Sequence, residues 1–181
     1  MRRRRKNLIH SASGKRQVGP VRRLSLVPDE VQGRMREREA GALRVAIASQ
    51  DMKELNAHFG SAKRFVIYDV TREEWKLVEA VAFDDVSDES GEHRAEGDDR
   101  ITPKVEALKG CHLLFCLAIG GPSAAKLVSA KIHPIKVRQP QSIQQVLLHT
   151  QMMLRTSPPP WLRKVLAEAG VAEKKRSFED E

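Results

Sequence analysis

Five short apolar runs of strand length, separated by polar turns and helical patterns, constrain the fold of this chain more than any other feature. The runs lie at 43–49, 64–70, 75–83, 111–119 and 133–137. The first three follow one another through short polar turns, which favours an antiparallel meander, whereas the last two alternate with helical patterns, which favours parallel crossovers. The sequence therefore predicts an α/β fold with a mixed five-stranded sheet and helices on both faces.

Capping and breaking residues define the predicted helices. Thr102 is expected to be an N-cap with Pro103 at the first helical position, and Gly110 is expected to end that helix. Ser142 followed by Gln145 is a capping-box pattern. The helices are expected at 102–110, from the glycine turn at 120–121 to 130, from 142 to the break at 157–160, and at 161–169.

The charge of the chain is concentrated at one end. Residues 1–42 hold twelve Lys/Arg and four Asp/Glu, which accounts for the whole net charge of +8, and residues 43–181 hold twenty of each. We predict a disordered basic arm at 1–42, in which 21–27 can dock as an edge segment, and an α/β domain at 43–169. The arm either meets an acidic partner or serves as a solvated tail. A neutral domain argues against nucleic-acid binding, which needs a basic face on the fold itself.

Two further segments of low apolar content are expected. Residues 84–99 contain eight Asp/Glu and form a predicted acidic loop, which is either mobile or holds a hard cation. Residues 170–181 form a polar carboxyl-terminal tail. No apolar run approaches the roughly 18 residues that a membrane helix needs, and the amino terminus lacks the apolar segment of a secretory signal. We therefore expect a cytoplasmic protein with no membrane partner.

The two cysteines, Cys111 and Cys116, are too few for a disulfide scaffold and fit a reducing compartment. Their spacing of five places them on opposite faces of a regular strand, so they cannot jointly hold one metal ion. Cys116 lies between Phe115 and Leu117 and is expected to pack in the core.

His58 is the candidate functional residue that the sequence offers most clearly. It lies in a polar stretch, 49–62, between the first two predicted strands. Imidazole offers a neutral nitrogen lone pair near pH 7, and functional groups favour loops that a rigid scaffold positions. His58 is therefore either a metal ligand or proton carrier, or a residue that only packs or caps a turn, because one histidine makes no closed metal site.

Several blocks of the sequence occur in the order typical of one family. The loop contributes His58-Phe59-Gly60-Ser61-Ala62, and the others lie at 44–49, 51–52, 65–68, 115–122 and 133–137. Over residues 43–166 the chain resembles the dinitrogenase iron–molybdenum cofactor biosynthesis family. The resemblance implies a three-layer fold of ribonuclease H-like type. The first strand has no acidic residue to hold a catalytic metal pair, so nuclease activity is not expected.

The resemblance also implies a function without catalysis. It implies a carrier that passes an iron–sulfur precursor of the iron–molybdenum cofactor, or the cofactor itself, between nitrogenase assembly proteins: a cluster-synthesising enzyme, a scaffold complex and dinitrogenase. The alternative is an insertion partner that binds and stabilises cofactor-free dinitrogenase. A carrier needs only a few replaceable ligands, because four thiolates would hold a cluster too firmly for release.

The same resemblance implies which residues contact the cluster. His58 is the expected direct ligand through a ring nitrogen, and Met52 offers a soft thioether. Ser49, Asn56 and Ser61 are expected to donate hydrogen bonds to sulfides. Three basic residues are expected to offset the anionic charge of the cluster: Lys53, Lys63 and Arg64. Phe59 and Gly60 are expected to shape the loop.

Overall fold

The computed structural model describes residues 21–24, 38, 41–83, 100–156 and 158–171. The strands are β1 (Arg22–Leu24), β2 (Leu43–Ser49), β3 (Glu54–Leu55), β4 (Arg64–Val70), β5 (Trp75–Ala82), β6 (Leu113–Cys116), β7 (His133–Lys136) and β8 (Gln141–Ser142). The helices are α1 (Ile101–Ala107), α2 (Gly121–Ser129), α3 (Ile143–Arg155) and α4 (Pro160–Glu168). No helix in these ranges is both long enough and apolar enough to cross a membrane.

The main sheet has the order β1-β5-β4-β2-β6-β7. Strands β2, β4 and β5 pair antiparallel, and β6 and β7 follow parallel to β2. The predicted meander followed by parallel crossovers is therefore confirmed. Short polar connections bring β4 and β5 together, whereas the helices carry the chain back between the parallel strands.

The sheet has six strands where the sequence predicted five. The additional strand is β1, which lies within the predicted arm and pairs antiparallel with β5 from Ala80 to Ala82. Arg23 donates to Glu79 at 2.6 Å, which fixes this pairing at the sheet edge. A short charged edge strand protects a longer one from pairing with other chains. The predicted docking of 21–27 as an edge segment is confirmed at residues 22–24.

Three other segments for which the sequence made predictions lie outside the described residues. These are the rest of the basic arm up to residue 37, the acidic loop at 84–99 and the tail after 171. A second sheet, formed by β3 and β8, was not predicted because strands of two residues carry no periodicity. It joins the loop after β2 to the start of α3.

Both faces of the main sheet are covered by helices, as predicted. Ala46 and Ala48 of β2 lie in one apolar cluster with residues of α1 and α2. Val45 and Ile47 face the other way and lie in a second cluster with residues of α3 and α4. The continuous apolar character of β2 therefore reflects burial on both faces.

The helix boundaries follow the capping rules in one case and depart from them in another. The capping box is confirmed, because Gln145 N donates to Ser142 Oγ at 3.2 Å and Ser142 N donates to Gln145 Oε1 at 3.0 Å. The N-cap assigned to Thr102 is wrong. The first helix begins one residue earlier, at Ile101, and the Thr102 hydroxyl accepts a hydrogen bond from Lys126 Nζ at 3.0 Å.

Candidate functional site

The loop between β2 and β4 begins with a turn built by two side chains. The Ser49 hydroxyl donates to Glu54 O at 2.6 Å and accepts from Met52 N at 2.9 Å. Asp51 Oδ1 accepts from Lys53 N at 2.8 Å and from Glu54 N at 3.0 Å. These backbone N–H groups lower the pKa of the Asp51 carboxyl, because they favour its charged form. The turn holds Met52 at a φ of 65°, which is uncommon for a side chain of this size.

Gln50 connects the beginning of this loop to its end. Its amide donates to Ser61 O at 3.0 Å and accepts from Lys63 N at 3.3 Å. Its backbone N donates to Asn56 Oδ1 at 2.8 Å, and its carbonyl accepts from Arg64 Nη1 at 2.6 Å. Hydrogen bonds therefore connect the two ends of the loop 49–64, and the polar groups of the loop itself set its geometry.

His58 is held at the surface by hydrogen bonds on either side of it. Phe59 N donates to Ala118 O at 2.8 Å, and Leu117 N donates to Ala57 O at 3.0 Å. The side chains of Ala57 and Phe59 are fully buried, whereas His58 is exposed. The imidazole therefore projects to solvent from a backbone that is fixed to the segment after β6, three residues before α2 begins.

Aromatic packing anchors this segment from below. The Phe59 ring lies 5.6 Å from Phe65 and the Phe65 ring lies 5.8 Å from Phe83, measured between centroids. Phe59 therefore anchors the loop to the apolar core.

Lys104 of α1 binds the backbone of this loop, a contact that was not predicted from the sequence. Its side chain has no solvent exposure, and its ammonium donates to the carbonyls of Phe59 at 3.2 Å, Ala62 at 3.1 Å and Gly60. Burial, together with the charge of Arg100, lowers the Lys104 pKa to about 8. The signal was present in the sequence, because Lys104 occupies the helix face that carries Ile101 and Leu108.

The predicted site residues divide by exposure. Four present exposed side chains: Met52, Lys53, His58 and Lys63. Three are partly buried: Asn56, Gly60 and Arg64. Three are buried: Ser49, Phe59 and Ser61.

The predicted sulfide donors are occupied or buried. Ser49 gives its hydroxyl proton to the Glu54 carbonyl, and Asn56 Nδ2 donates to Asp51 Oδ2 at 3.3 Å. Ser61 is only 6% exposed. Ser49 and Asn56 therefore help to build the loop, and the role of these three side chains as donors to sulfides stays a prediction.

Both cysteines are buried in the same apolar cluster, so the prediction that they lie on opposite faces is wrong. The regular strand begins only at Leu113, and Cys111 lies in the preceding turn, where its N–H donates to Leu108 O at 3.0 Å. Burial raises the pKa of Cys111 to about 12 and that of Cys116 to about 11. Both are neutral thiols near pH 7, as expected for core packing. Among the described residues, no three His, Cys, Asp or Glu side chains are grouped as a metal site.

The sequence matches the protein family described as "Dinitrogenase iron-molybdenum cofactor" over residues 41–152. The chain belongs to this family. The match confirms the resemblance drawn from the sequence blocks. It contains the complete loop with His58, and it extends from the residues before β2 into α3.

The family membership is supported by relatives of high identity. Protein NifX of Sinorhizobium fredii (strain NBRC 101917 / NGR234) is 73% identical over 164 residues, which cover 91% of this chain and 99% of that relative. Protein NifX of Rhodobacter capsulatus is 48% identical over 139 residues, covering 77% of this chain and 87% of that relative. Protein NifY of Azotobacter vinelandii is 35% identical over 125 residues, covering 69% of this chain but only 48% of that relative.

Proposed function

We propose that this member of the dinitrogenase iron–molybdenum cofactor family is a nitrogenase maturation protein. It carries an iron–sulfur precursor of the iron–molybdenum cofactor, or the cofactor itself, between assembly proteins. The observation that carries the proposal is the exposed imidazole of His58 on a backbone that hydrogen bonds fix on both sides. The family description and the names of the NifX and NifY relatives support the pathway.

A single fixed imidazole suits a cargo that must be released. A ready-made cluster already has its bridging sulfides, so the carrier needs only to replace a labile ligand on one iron atom. His58 supplies one nitrogen lone pair, and the exposed thioether of Met52 lies on the same loop as a second soft donor. The two thiols are buried and protonated, so they do not compete for the cluster.

Positive charge around the loop favours an anionic cargo. The Lys104 ammonium lies directly beneath residues 59–62, and Lys63 is exposed beside them. The segment bonded to Phe59 leads into the amino terminus of α2, where backbone N–H groups carry partial positive charge. Lys53 is exposed in the same loop, and the partly buried Arg64 donates to the Gln50 carbonyl. Low local dielectric strengthens the contribution of the buried ammonium relative to the exposed groups.

We also propose that the fold is of ribonuclease H-like type. Without the edge strand β1, the order across the main sheet is β5-β4-β2-β6-β7. The first three of these strands form an antiparallel meander, and β6 and β7 run parallel to β2. Strand β2 lies in the middle of these five strands, and the loop that carries His58 begins at its carboxyl end. We place no catalytic step there, since β2 presents no carboxylate.

A second candidate function is that of an insertion partner that binds cofactor-free dinitrogenase. It is favoured by two apolar side chains on the outer face of α3, Leu148 at 49% exposure and Met152 at 62% exposure, which are spaced by one helical turn. Retention of dinitrogenase subunits by the immobilised protein, lost in the Leu148→Lys, Met152→Lys variant, would support this function over the carrier.

Anaerobic loading tests the carrier function. The full chain, His58→Ala and the matched control His149→Ala are incubated with the iron–sulfur precursor and desalted, and bound iron is measured. His149 is an exposed histidine on α3, outside the loop. We expect wild type and control to retain the cluster and His58→Ala to retain at least about tenfold less, because a metal–ligand bond is lost. Equal retention by His58→Ala would remove His58 from the proposal.

A further inference from the structure

A cavity of about 430 Å³ lies on the α3 face of the sheet, at the carboxyl end of β7. Its apolar lining consists of Phe115 of β6, Ile135 of β7, Val137 just after β7 and Val146 of α3. This size is within the range of small-molecule sites. None of its lining residues belongs to the loop 49–64, so the cavity is separate from the His58 site.

The rim of the cavity is basic. Lys136 and Arg138 are both exposed and both line it, and none of the lining residues is acidic. Within the described part of the chain, neither side chain forms an ion pair. Alternation along the extended chain directs Ile135 and Val137 to the core, where they pack against the apolar cluster under α3, and leaves the two cations outside.

The position of the cavity is one that α/β proteins use for ligands. The carboxyl ends of parallel strands open into crevices where ligands bind, and here β2, β6 and β7 run parallel to one another. Residues 137–140 leave β7 and return through β8 into α3, so consecutive parts of the chain line the cavity, which stays open to solvent on one side.

We infer that this cavity binds a small organic acid, with its hydrocarbon or aromatic body against Ile135 and Val137, the partly exposed apolar residues of the lining, and its carboxylate between Lys136 and Arg138. The lining also contains Gln139, Gln141 and His149, so it combines apolar and polar surface, and the two cations favour an anion over a neutral molecule of the same shape. A guanidinium can take a carboxylate through two parallel hydrogen bonds, which makes Arg138 the principal contact. The inference uses no cluster and stands apart from the carrier function.

The test is a titration of the full chain with two carboxylates, phenylacetate and hexanoate, and with their neutral counterparts, phenylacetamide and hexanamide. Binding is measured by calorimetry and by amide chemical shifts. We expect at least one acid to bind with its shifts at the cavity residues, and its amide to bind at least about tenfold more weakly. Equal binding of acid and amide, or binding of neither acid at about 10 mM, would overturn the inference.

A matched pair of double variants separates local contact from overall charge. Lys136→Gln, Arg138→Gln removes two charges at the rim, and Arg163→Gln, Lys164→Gln removes two charges from the exposed face of α4. We expect the first variant to weaken binding of the acid by about tenfold or more and the second to leave it unchanged. Equal weakening in both variants would show nonspecific attraction only and would also overturn the inference. All four side chains are exposed, and circular dichroism confirms folding.

Discussion

At the scale of single residues, Lys104 is the least expected feature of this protein. Its buried ammonium has no carboxylate partner among the described residues and donates to three backbone carbonyls of the turn that follows His58. It also lies 5.9 Å from the ring centroid of Phe65 and 5.6 Å from that of Phe83. The faces of these rings favour a cation. Lys104 therefore organises the turn around a fixed positive charge.

We expect Lys104→Met to lower the free energy of unfolding by about 2 kcal/mol, because three buried carbonyls lose a charged donor. The amides of residues 59–62 should also exchange faster with solvent. Urea unfolding and hydrogen exchange measure the two effects. A variant as stable as wild type, with unchanged exchange in the turn, would show that the turn does not depend on the ammonium.

The pKa of Lys104 gives this residue a signature in the pH dependence of stability. Its folded pKa, about 8, lies below the ordinary value of 10.5, so between these values the unfolded chain binds more protons than the folded one. Stability therefore gains a contribution from this group as pH rises from about 8 to about 10, and Lys104→Met should lack it. The free energies of unfolding of wild type and Lys104→Met are measured across this pH range. Their difference should change as pH rises from about 8 to about 10, and a difference that stays constant would contradict the prediction.

The two thiols give a further prediction at this scale. Because burial holds Cys111 and Cys116 protonated, both should resist a thiol reagent in the folded protein and react at once in denaturant. Absorbance of the released chromophore measures the number of thiols that react. Rapid modification of either thiol in the native protein would contradict their placement in the core.

At the scale of elements, hydrogen bonds between its own side chains and backbone connect the parts of the loop after β2. Ser49 closes its first turn, Gln50 ties its two ends together, and β3 pairs with β8 ahead of α3. The imidazole of His58 is thereby pre-positioned, so binding a cargo does not have to order the backbone.

We expect Ser49→Ala to cost about 1 kcal/mol of stability, because the Glu54 carbonyl and the Met52 N–H lose their shared partner. Because the Ser49 hydroxyl is buried, we expect Ser49→Ala to retain less cluster only to the extent that the variant is less stable. Thermal unfolding and anaerobic loading of the same samples measure both quantities. Loss of the cluster without any loss of stability would show instead that Ser49 contacts the cargo.

At the scale of the whole molecule, the sequence predicted the parts of the fold that burial determines. Strands β2 and β4 have the predicted bounds, because strands in the middle of a covered sheet are mostly apolar; the charged Arg44 and Asp69 within them form an ion pair with each other. The edge strand β1, with the exposed sequence Arg-Arg-Leu, and the two-residue strands β3 and β8 carry no such pattern. The exposed position of His58 agrees with its predicted place in a loop, and its role as a ligand stays a prediction. Lys104 was missed because a lysine on an apolar helix face is ordinarily expected to reach solvent.

The edge strand supports a prediction about the assembled fold. A chain lacking residues 1–24 uncovers the outer edge of β5, where Ala80 to Ala82 lose their backbone partners. We expect this variant to self-associate more than the full chain as concentration rises, because an open edge pairs with other strands. Light scattering after size-exclusion chromatography measures the association. Identical masses for the two chains across the concentration range would contradict the role assigned to β1.

The central claim is that the His58 ring nitrogen binds iron in the carried cluster. Pulsed electron paramagnetic resonance of the anaerobically loaded, reduced protein, labelled with ¹⁵N-histidine, tests it directly. We predict a hyperfine coupling between the cluster spin and a histidine ¹⁵N nucleus in wild type and in His149→Ala. The cluster that remains bound to His58→Ala should lack this coupling. A loaded wild-type protein without histidine nitrogen coupling, or the same coupling in His58→Ala, would contradict the account.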